Sequence, residues 1–296
     1  MSRVVLLTGA SGLVGREVAA AFARAGWRVL ALAHRRRPRI PGVEWVRALG
    51  GQVERLPLAD ALVHMAAAIP SVVGEGAFAA YRRANMELSE RLFGAAVARG
   101  CRAVVFLSTL QFLARPLARR ITEEHPAAPA TFYGMSKRWA ELALLEITRG
   151  SPTRPVILRI PSPVPSTAEG LQLTVLRRWI TEATERRTVT VWGSGSRTQD
   201  FLSASDIGAA ALAALRSPRA HGVYHLGSGA PLSMRALAKL VAGRLGARVV
   251  FEGSDRLENE RWNISIEKAA RDFGYSPKLD SARAVTRLLD SLPCNS

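Results

Sequence analysis

The stretch Val4-Val5-Leu6-Leu7-Thr8-Gly9-Ala10-Ser11-Gly12-Leu13-Val14-Gly15 decides how this chain is read. An apolar run of strand length enters a turn with G-x-x-G-x-x-G spacing. An amphipathic segment follows from about Leu13 to Ala25, until Gly26 stops it. Arg28–Ala33 is a second apolar run, so the opening predicts a βαβ unit. A bare glycine triad is equally a plain turn. Between a buried strand and a helix its glycines have a physical use: the backbone can turn tightly and approach a pyrophosphate, which rests on the helix N-terminus. Gly9, Ser11, Gly12, Leu13, Val14 and Gly15 are therefore candidate cofactor contacts.

The alternation of strand and helix continues. Val43–Val46 is a short third strand and Ala61–Met65 a fourth, with a short link between them. Phe78–Arg99 has helical periodicity and stops at Gly100, and Ala103–Leu107 is a buried fifth strand delivering Ser108-Thr109 at its C-terminal end. Pro155–Ile160 is a sixth. The pattern predicts an α/β fold with a doubly wound parallel sheet, whose ligands bind at the C-terminal strand edge. Residues 110–131 form a long connection bearing Arg115, Pro116, Arg119, Arg120, Pro126 and Pro129, of the length used for lids and binding loops. Beyond Pro165 a smaller C-terminal α/β region is expected, with helices near 171–186, 206–215, 233–245, 265–273 and 281–291. Its short strands are Thr188–Trp192, Val223–Leu226 and Arg248–Phe251. Residues 1–165 are read as a dinucleotide-binding domain, with 201–226 returning to it, and 166–296 as mainly a substrate-binding region.

Tyr133-Gly134-Met135-Ser136-Lys137 puts a phenol and an ammonium four residues apart at the start of a predicted helix, on one face. A Lys⁺ held near a Tyr favours the phenolate, which predicts a phenol exchanging protons closer to neutrality than its ordinary ~10. Alone, this spacing is also that of an ordinary surface pair. The glycine turn and Ser108-Thr109 upstream single it out.

With 296 residues, 48% of them hydrophobic, the chain can bury a large core. No apolar run reaches the ~18 residues of a membrane span, and the N-terminus lacks the apolar segment and cleavage site of a secretory signal. Two cysteines, Cys101 and Cys294, are too few for a disulfide framework. A soluble, cytoplasmic protein without a membrane partner is expected. The formal net charge of +17 comes almost wholly from arginine, since Lys137, Lys239, Lys268 and Lys278 are the only lysines. Arginine suits bidentate contacts to phosphate, which favours anionic ligands. Nucleic-acid binding is disfavoured, because the arginines are scattered and no nucleic-acid module accompanies them. His34, His64, His125, His221 and His225 show no metal-ligand spacing, so no metal is expected.

The end of the second strand bears on the cofactor. An NAD site usually places Asp or Glu there for the ribose 2′-OH. Here the sequence is Leu32-Ala33-His34-Arg35-Arg36-Arg37, without a carboxylate and with three arginines suited to a 2′-phosphate. NADP is expected in preference to NAD; the bland alternative is a solvated basic loop.

With these features in this order, the chain resembles an extended short-chain dehydrogenase/reductase of the nucleotide-sugar epimerase/dehydratase family. Further support comes from Asp60-Ala61-Leu62-Val63-His64-Met65-Ala66-Ala67, from Asn85 with Ser89, from Trp192–Phe201 and from Gly222–Gly229. The resemblance implies a Rossmann sheet, with Tyr133 as acid/base and Lys137 binding the nicotinamide ribose. It also implies that Thr109 hydrogen-bonds the reacting oxygen, with Ser108 beside it. His34, Arg35, Arg36, Ala66, Ala67, Asn85, Ser108 and Ile160 would join the glycine turn around the cofactor, and Gln111, Ser162 and Arg197 would join Thr109 around the substrate.

The departures from the family pattern are informative. Leu110-Gln111 stands where the family's sugar dehydratases carry Asp-Glu, which argues against loss of water. Ser162 replaces a common Asn, and Gln199 a common Arg for which Arg197 is a substitute. Ala48 replaces an Asp near the adenine. The expectation is an NADPH-dependent reductase of a keto group on a nucleotide-activated (deoxy)sugar. A nucleotide-sugar 4-epimerase is the alternative, and a non-catalytic NADP-sensing protein the distant one. The resemblance also implies a homodimer formed through residues 78–99 and 132–148, with apolar faces drawn from Leu88, Leu92, Phe93, Ala140, Leu144 and Leu145, residues that core packing explains equally well.

Overall fold

The computed structural model describes residues 3–33, 37–47, 53, 56–69, 77–169, 171 and 174–293. His34, Arg35, Arg36 and Ala48 lie outside the described residues.

The opening apolar run forms β1 (Val4–Thr8), the glycine turn leads into α1 (Leu13–Arg24), and β2 (Arg28–Ala33) and β3 (Val43–Arg47) follow. The chain then returns through β4 (Ala61–His64), a helical segment, β5 (Ala103–Thr109), α4 (Phe132–Ile147) and β6 (Arg154–Ile160). β11 (Gly222–His225), far along the chain, pairs with β6 and completes a seven-stranded parallel sheet of order β11-β6-β5-β4-β1-β2-β3. The order reverses between β1 and β4, which opens a crevice at their C-terminal ends.

Alternation along the strands builds a core on each face of the sheet. Val5 and Leu7 of β1 face a cluster with Val18 and Phe22 of α1 and with Ile207, Ala211 and Ala214 of α6 (Ala204–Arg216). Leu6 faces the opposite cluster, with Leu92, Phe93, Ala140 and Leu144. The period of two in an extended chain makes this division, and burial on both faces explains why the strands read as continuous apolar runs.

The helix anticipated over 78–99 is not uniform. It consists of α2 (Phe78–Tyr81), a π-helical turn over Arg82–Glu87, and α3 (Leu88–Ala98). Of the two readings of the apolar residues on these helices, the core one applies. Leu92, Phe93, Ala140 and Leu144 are core residues, and Leu88 and Leu145 pack against them. A different stripe of α4 faces outward: Phe132, Met135, Trp139 and Leu142 are each about half exposed, from 47% to 49%.

Residues 110–131 do not form a loose lid. Leu110, Phe112, Leu113 and Ile121 are fully buried in a small core with Trp262 and Ile264. Ile121 donates to Asn263 O at 2.8 Å and accepts from the Ser265 amide at 2.9 Å, so the segment is laced to the C-terminal part of the chain. The remaining elements are β7 (Ser162–Val164), α5 (Val175–Arg186), β8 (Thr188–Trp192), β9 (Thr198–Gln199), β10 (Phe201–Ser203), β12 (Leu232–Ser233), α7 (Met234–Leu245), β13 (Arg248–Glu252), α8 (Glu267–Phe273) and α9 (Ser281–Asp290). β7, β9, β10 and β12 have only two or three residues, too few to show a period in sequence. No described helix is long and apolar enough to cross a membrane.

Candidate active site

Gly9 follows β1 with φ +74°, and a Cβ there would lie 2.6 Å from the Ala66 amide nitrogen at the end of β4. A Cβ on Gly15 would lie 2.0 Å from the Gly9 carbonyl oxygen. Both positions require glycine on packing grounds. Gly12 meets nothing closer than 3.2 Å and is exposed, as the approach side of a cradle should be. It is also the N-cap of α1, where no side chain caps the helix and no acidic residue occupies the first turn. Leu13, Val14 and Gly15 follow it in that first turn, where helix amides have no partner within the helix. The residues therefore fit a pyrophosphate-bearing cofactor. Ser11 is half-buried beside them, and its carbonyl accepts from Arg16 Nε at 3.3 Å.

A buried chain of hydrogen bonds runs from this turn to the helix that carries Tyr133. The Thr8 hydroxyl meets His64 Nδ1 at 2.6 Å, and His64 Nε2 meets Ser89 Oγ at 2.8 Å. Ser89 Oγ donates to Asn85 O at 2.7 Å, so toward His64 it accepts, and the imidazole carries its proton on Nε2. Nδ1 then accepts from Thr8, whose oxygen accepts from the Met65 and Ala66 amides, both at 3.2 Å. Asn85, from the π turn, binds Ala68 N at 2.6 Å and Ala68 O at 2.9 Å, and donates to Ser136 Oγ at 2.9 Å. Ser136 Oγ donates to Tyr133 O at 2.8 Å. The local widening of a π turn re-aims side chains, and here it presents Asn85 to the Ala66–Ala68 segment. Ala67 lies within that tethered segment.

α4 begins at Thr131, whose hydroxyl accepts from the Gly134 amide at 3.1 Å. Its first turns present Tyr133 and Lys137. The phenol lies near Thr109, at the C-terminal end of β5, and Thr109 Oγ1 accepts from the Gln111 amide at 3.2 Å. Ser108 Oγ is buried with no partner among the described residues, an orphaned hydroxyl at the strand edge. Lys137 is buried; its Nζ donates to Leu107 O at 2.6 Å and lies 4.0 Å from the centre of the Phe106 ring. Ile160 closes β6 alongside, where its carbonyl accepts from the Leu110 amide at 3.1 Å.

The electrostatics differ from the sequence expectation of an acidified phenol. Burial pushes the Tyr133 phenol up to about 12, against the opposing pull of the nearby Thr109 hydroxyl. Burial likewise brings Lys137 down to about 7, with Glu141 pulling it back up. Desolvation disfavours whichever form is charged, so the acid rises and the base falls. The lysine is directed to Leu107 O, and desolvation, not its charge, sets the direction of the phenol's shift.

On the substrate side, Gln111 is exposed, two residues past Thr109. Ser162 Oγ accepts from Gln199 Nε2 at 2.6 Å, Gln199 Oε1 accepts from Arg197 at 3.3 Å, and Arg197 Nε pairs with Asp255 at 2.8 Å. Arg197 is thus already engaged by a carboxylate. Sequence reasoning assigned no role to Thr8, His64, Ser136, Glu141 or Arg159. Glu141 had a readable signal, being a carboxylate four residues past Lys137 on one helical face.

Fold and site together define a Rossmann-type dinucleotide-binding enzyme with Tyr, Lys and Thr at the crevice. Residues 5–227 match the NAD dependent epimerase/dehydratase family, and the chain belongs to it, among the extended short-chain dehydrogenases/reductases. It is 26% identical to a dTDP-glucose 4,6-dehydratase of Streptomyces antibioticus, over 86% of this chain and 77% of that one. It is 21% identical to the dTDP-4-dehydro-6-deoxyglucose reductase of Escherichia coli, over 66% and 63% respectively. The structure of a UDP-glucuronic acid 4-epimerase from Bacillus cereus with UDP-glucuronic acid and NAD superimposes with a TM-score of 0.83 at 20% identity, covering 97% of this chain and 98% of that one. At that identity the likeness speaks to fold alone.

Burial holds the His64 and His225 imidazoles near 3, well below their ordinary 6.5. Between those values the unfolded chain binds more protons, so each buried neutral histidine loses stability as pH falls below 6.5. Asp200, raised by burial to about 7, acts in the opposite sense over part of this window. Comparison with His64→Gln isolates the His64 share. From about pH 7.5 to about pH 5 the wild type should lose about 2 kcal/mol more than the variant, measured by urea unfolding. Equal losses would show that His64 does not remain neutral in the fold.

Proposed function

We propose that the protein is an NADPH-dependent reductase that converts a keto group on a nucleotide-activated deoxysugar to a hydroxyl. The placing of Tyr133 near Thr109 at the C-terminal strand edge, with the phenol biased toward its protonated form, carries this reading. Reduction of a carbonyl needs an acid at the oxygen, whereas an oxidative first step needs a base there. A reduced nicotinamide, when bound, supplies hydride to the carbonyl carbon. Tyr133 gives its proton to the carbonyl oxygen as that oxygen gains negative charge, and Thr109 steadies the oxygen by hydrogen bonding. Lys137, held by Leu107 O, keeps further N–H donors for the ribose. Gly9, Gly12, Gly15 and the first-turn amides of Leu13 and Val14 would hold the pyrophosphate, with Asn85 fixing the Ala66–Ala68 wall beside it.

Leu110 supports reduction over dehydration. It is fully buried in the apolar cluster with Phe112 and Trp262, where a carboxylate would be strongly disfavoured. The relatedness to a dTDP-4-dehydro-6-deoxyglucose reductase is consistent with the same substrate class. The preference for NADP rests on the sequence at 34–36, which lacks a carboxylate and supplies Arg35 and Arg36. A homodimer formed through the Phe132, Met135, Trp139 and Leu142 stripe fits an exposed apolar patch on a helix otherwise packed against the sheet.

Enzyme mixed with NADPH and a 4-keto sugar nucleotide should consume the nicotinamide absorbance stoichiometrically. Tyr133→Phe should bind NADPH with nearly unchanged affinity while losing turnover. NADPH left intact beside unreduced keto sugar would overturn the reductase, interconversion of the two 4-hydroxy epimers without added NADPH would favour the epimerase, and a fully active Tyr133→Phe would remove that phenol from its role. Arg35→Ala with Arg36→Ala should weaken NADP(H) binding by about 3 kcal/mol or more, roughly 100-fold, and leave NAD(H) almost untouched by titration calorimetry. Equal losses for both cofactors would show that the arginines do not read the 2′-phosphate. In sedimentation equilibrium the wild type should be a dimer at micromolar concentration and Met135→Glu/Trp139→Glu a monomer; a monomeric wild type would overturn that assembly.

A further inference from the structure

Tyr133, Lys137 and Glu141 follow one another at intervals of four along α4 and so share one helical face. Glu141 is wholly buried, at 0% exposure. A carboxylate so placed is strongly disfavoured unless paired and hydrogen-bonded. Arg159 of β6 meets it with both prongs of its guanidinium, Nε to Oε1 at 3.0 Å and NH2 to Oε2 at 2.8 Å. Arg138, at the half-exposed flank of the helix, adds a third contact at 3.0 Å.

Arg159 is itself buried and held from two further sides. Its guanidinium lies 5.0 Å from the Phe112 ring centre, and NH1 meets His225 Nε2 at 3.4 Å. The His225 amide donates to Glu123 Oε1 at 2.8 Å, and its Nδ1 faces Ile121 O at 3.4 Å. Burial and Arg159 keep that imidazole neutral. The pair is thus roofed by the packed 110–131 segment. Screening by solvent is weak there, so the charges of Glu141 and of its arginine partners, opposite in sign, are both felt by the buried amine one turn away.

We propose that Glu141, fixed by Arg159, is a positioning residue whose carboxylate is the counter-charge that keeps Lys137 an ammonium. The groups around Lys137 leave few other candidates for that role. On its own helix are Tyr133, a neutral phenol, Glu141, and Arg138, a cation at the half-exposed flank that pairs with Glu141. Across β4 stands His64, neutral and hydrogen-bonded at both nitrogens. β5 contributes the Leu107 carbonyl and the Phe106 ring, β6 contributes the cation Arg159, and Tyr81 of α2 stands beside the Tyr133 ring. Among these, Glu141 alone carries negative charge. Burial pulls Lys137 down to about 7, so the balance between ammonium and amine lies near neutrality and a single neighbouring charge decides it.

A merely structural tie between α4 and β6 would alter stability and leave the lysine's charge state alone. The opposed signs of Glu141 and Arg159 separate the two possibilities. The chain has four lysines, so a protein labelled with ¹³C and ¹⁵N at lysine gives a side-chain NMR spectrum simple enough to titrate, with Lys137 assigned by its loss in Lys137→Met. The full-length protein is titrated alone, without cofactor or substrate. Glu141→Gln should lower the Lys137 midpoint by about one pH unit or more. Arg159→Gln, which leaves Glu141 to the lysine, should raise it, and the double variant should return it toward wild type.

A Lys137 midpoint unmoved by Glu141→Gln, or moved the same way by both single variants, would overturn the proposal. Should Glu141→Gln fail to fold, Arg159→Gln and the double variant still decide between the two: a rise followed by a return supports the coupling, and no rise sinks it. Lys137 counts as a group of the active site only on the functional reading above, but its titration does not need that reading. Failure here leaves the reductase untouched, and an active Tyr133→Phe would leave this charge coupling standing.

Discussion

Buried polar groups must find partners, and in this protein that requirement joins the two halves of the site. The line from Thr8 through His64, Ser89, Asn85 and Ser136 to the Tyr133 carbonyl has a definite donor and acceptor at each step. It fixes the imidazole tautomer, ties the Ala66–Ala68 segment to the π turn, and holds the start of α4 against the sheet edge. Because each group is satisfied, shifting one link strands the next in a place where an unmade hydrogen bond costs about 1–3 kcal/mol. The crevice between β1 and β4 is therefore held to one shape.

The second constraint is electrostatic. Lys137 is buried and Tyr133 half-buried, and each moves toward its uncharged form. Here the burial of each group outweighs the pairing that their spacing on one helical face suggests. The phenol is left a proton donor, the form suited to meeting a carbonyl oxygen as it gains charge. The lysine is left near its balance point, dependent on the carboxylate one turn further along. The packed 110–131 segment matters to both, since it excludes water from the Arg159–Glu141 pair and supplies the apolar bed in which Leu110 lies.

Much of this was legible in the amino-acid sequence. The strands buried on both faces are continuous apolar runs with glycines at their ends, so β1, β2, β4, β5 and β6 stood out, as did the turn from Thr8 to Gly15. The short strands β7, β9, β10 and β12 left no period to read. The 110–131 segment has the length of a lid, but its buried residues Leu110, Phe112, Leu113 and Ile121 pack on Trp262 and Ile264, which lie over 130 residues away in the chain. The half-exposed stripe on α4 was missed because a helix turns one apolar stripe inward and another outward with the same residue types; only the position of the sheet distinguishes Leu144 from Leu142.

The sequence by itself determined the doubly wound sheet, the glycine cradle and the presence of Tyr133, Lys137 and Thr109 at its edge. These depend on local periods and on the spacing of neighbours along the chain. Tertiary structure alone decided which groups face one another and how much water remains between them. His64, Glu141 and Arg159 took on their parts only when β4, α4 and β6 were packed together, because desolvation and ion pairing are properties of a neighbourhood in space.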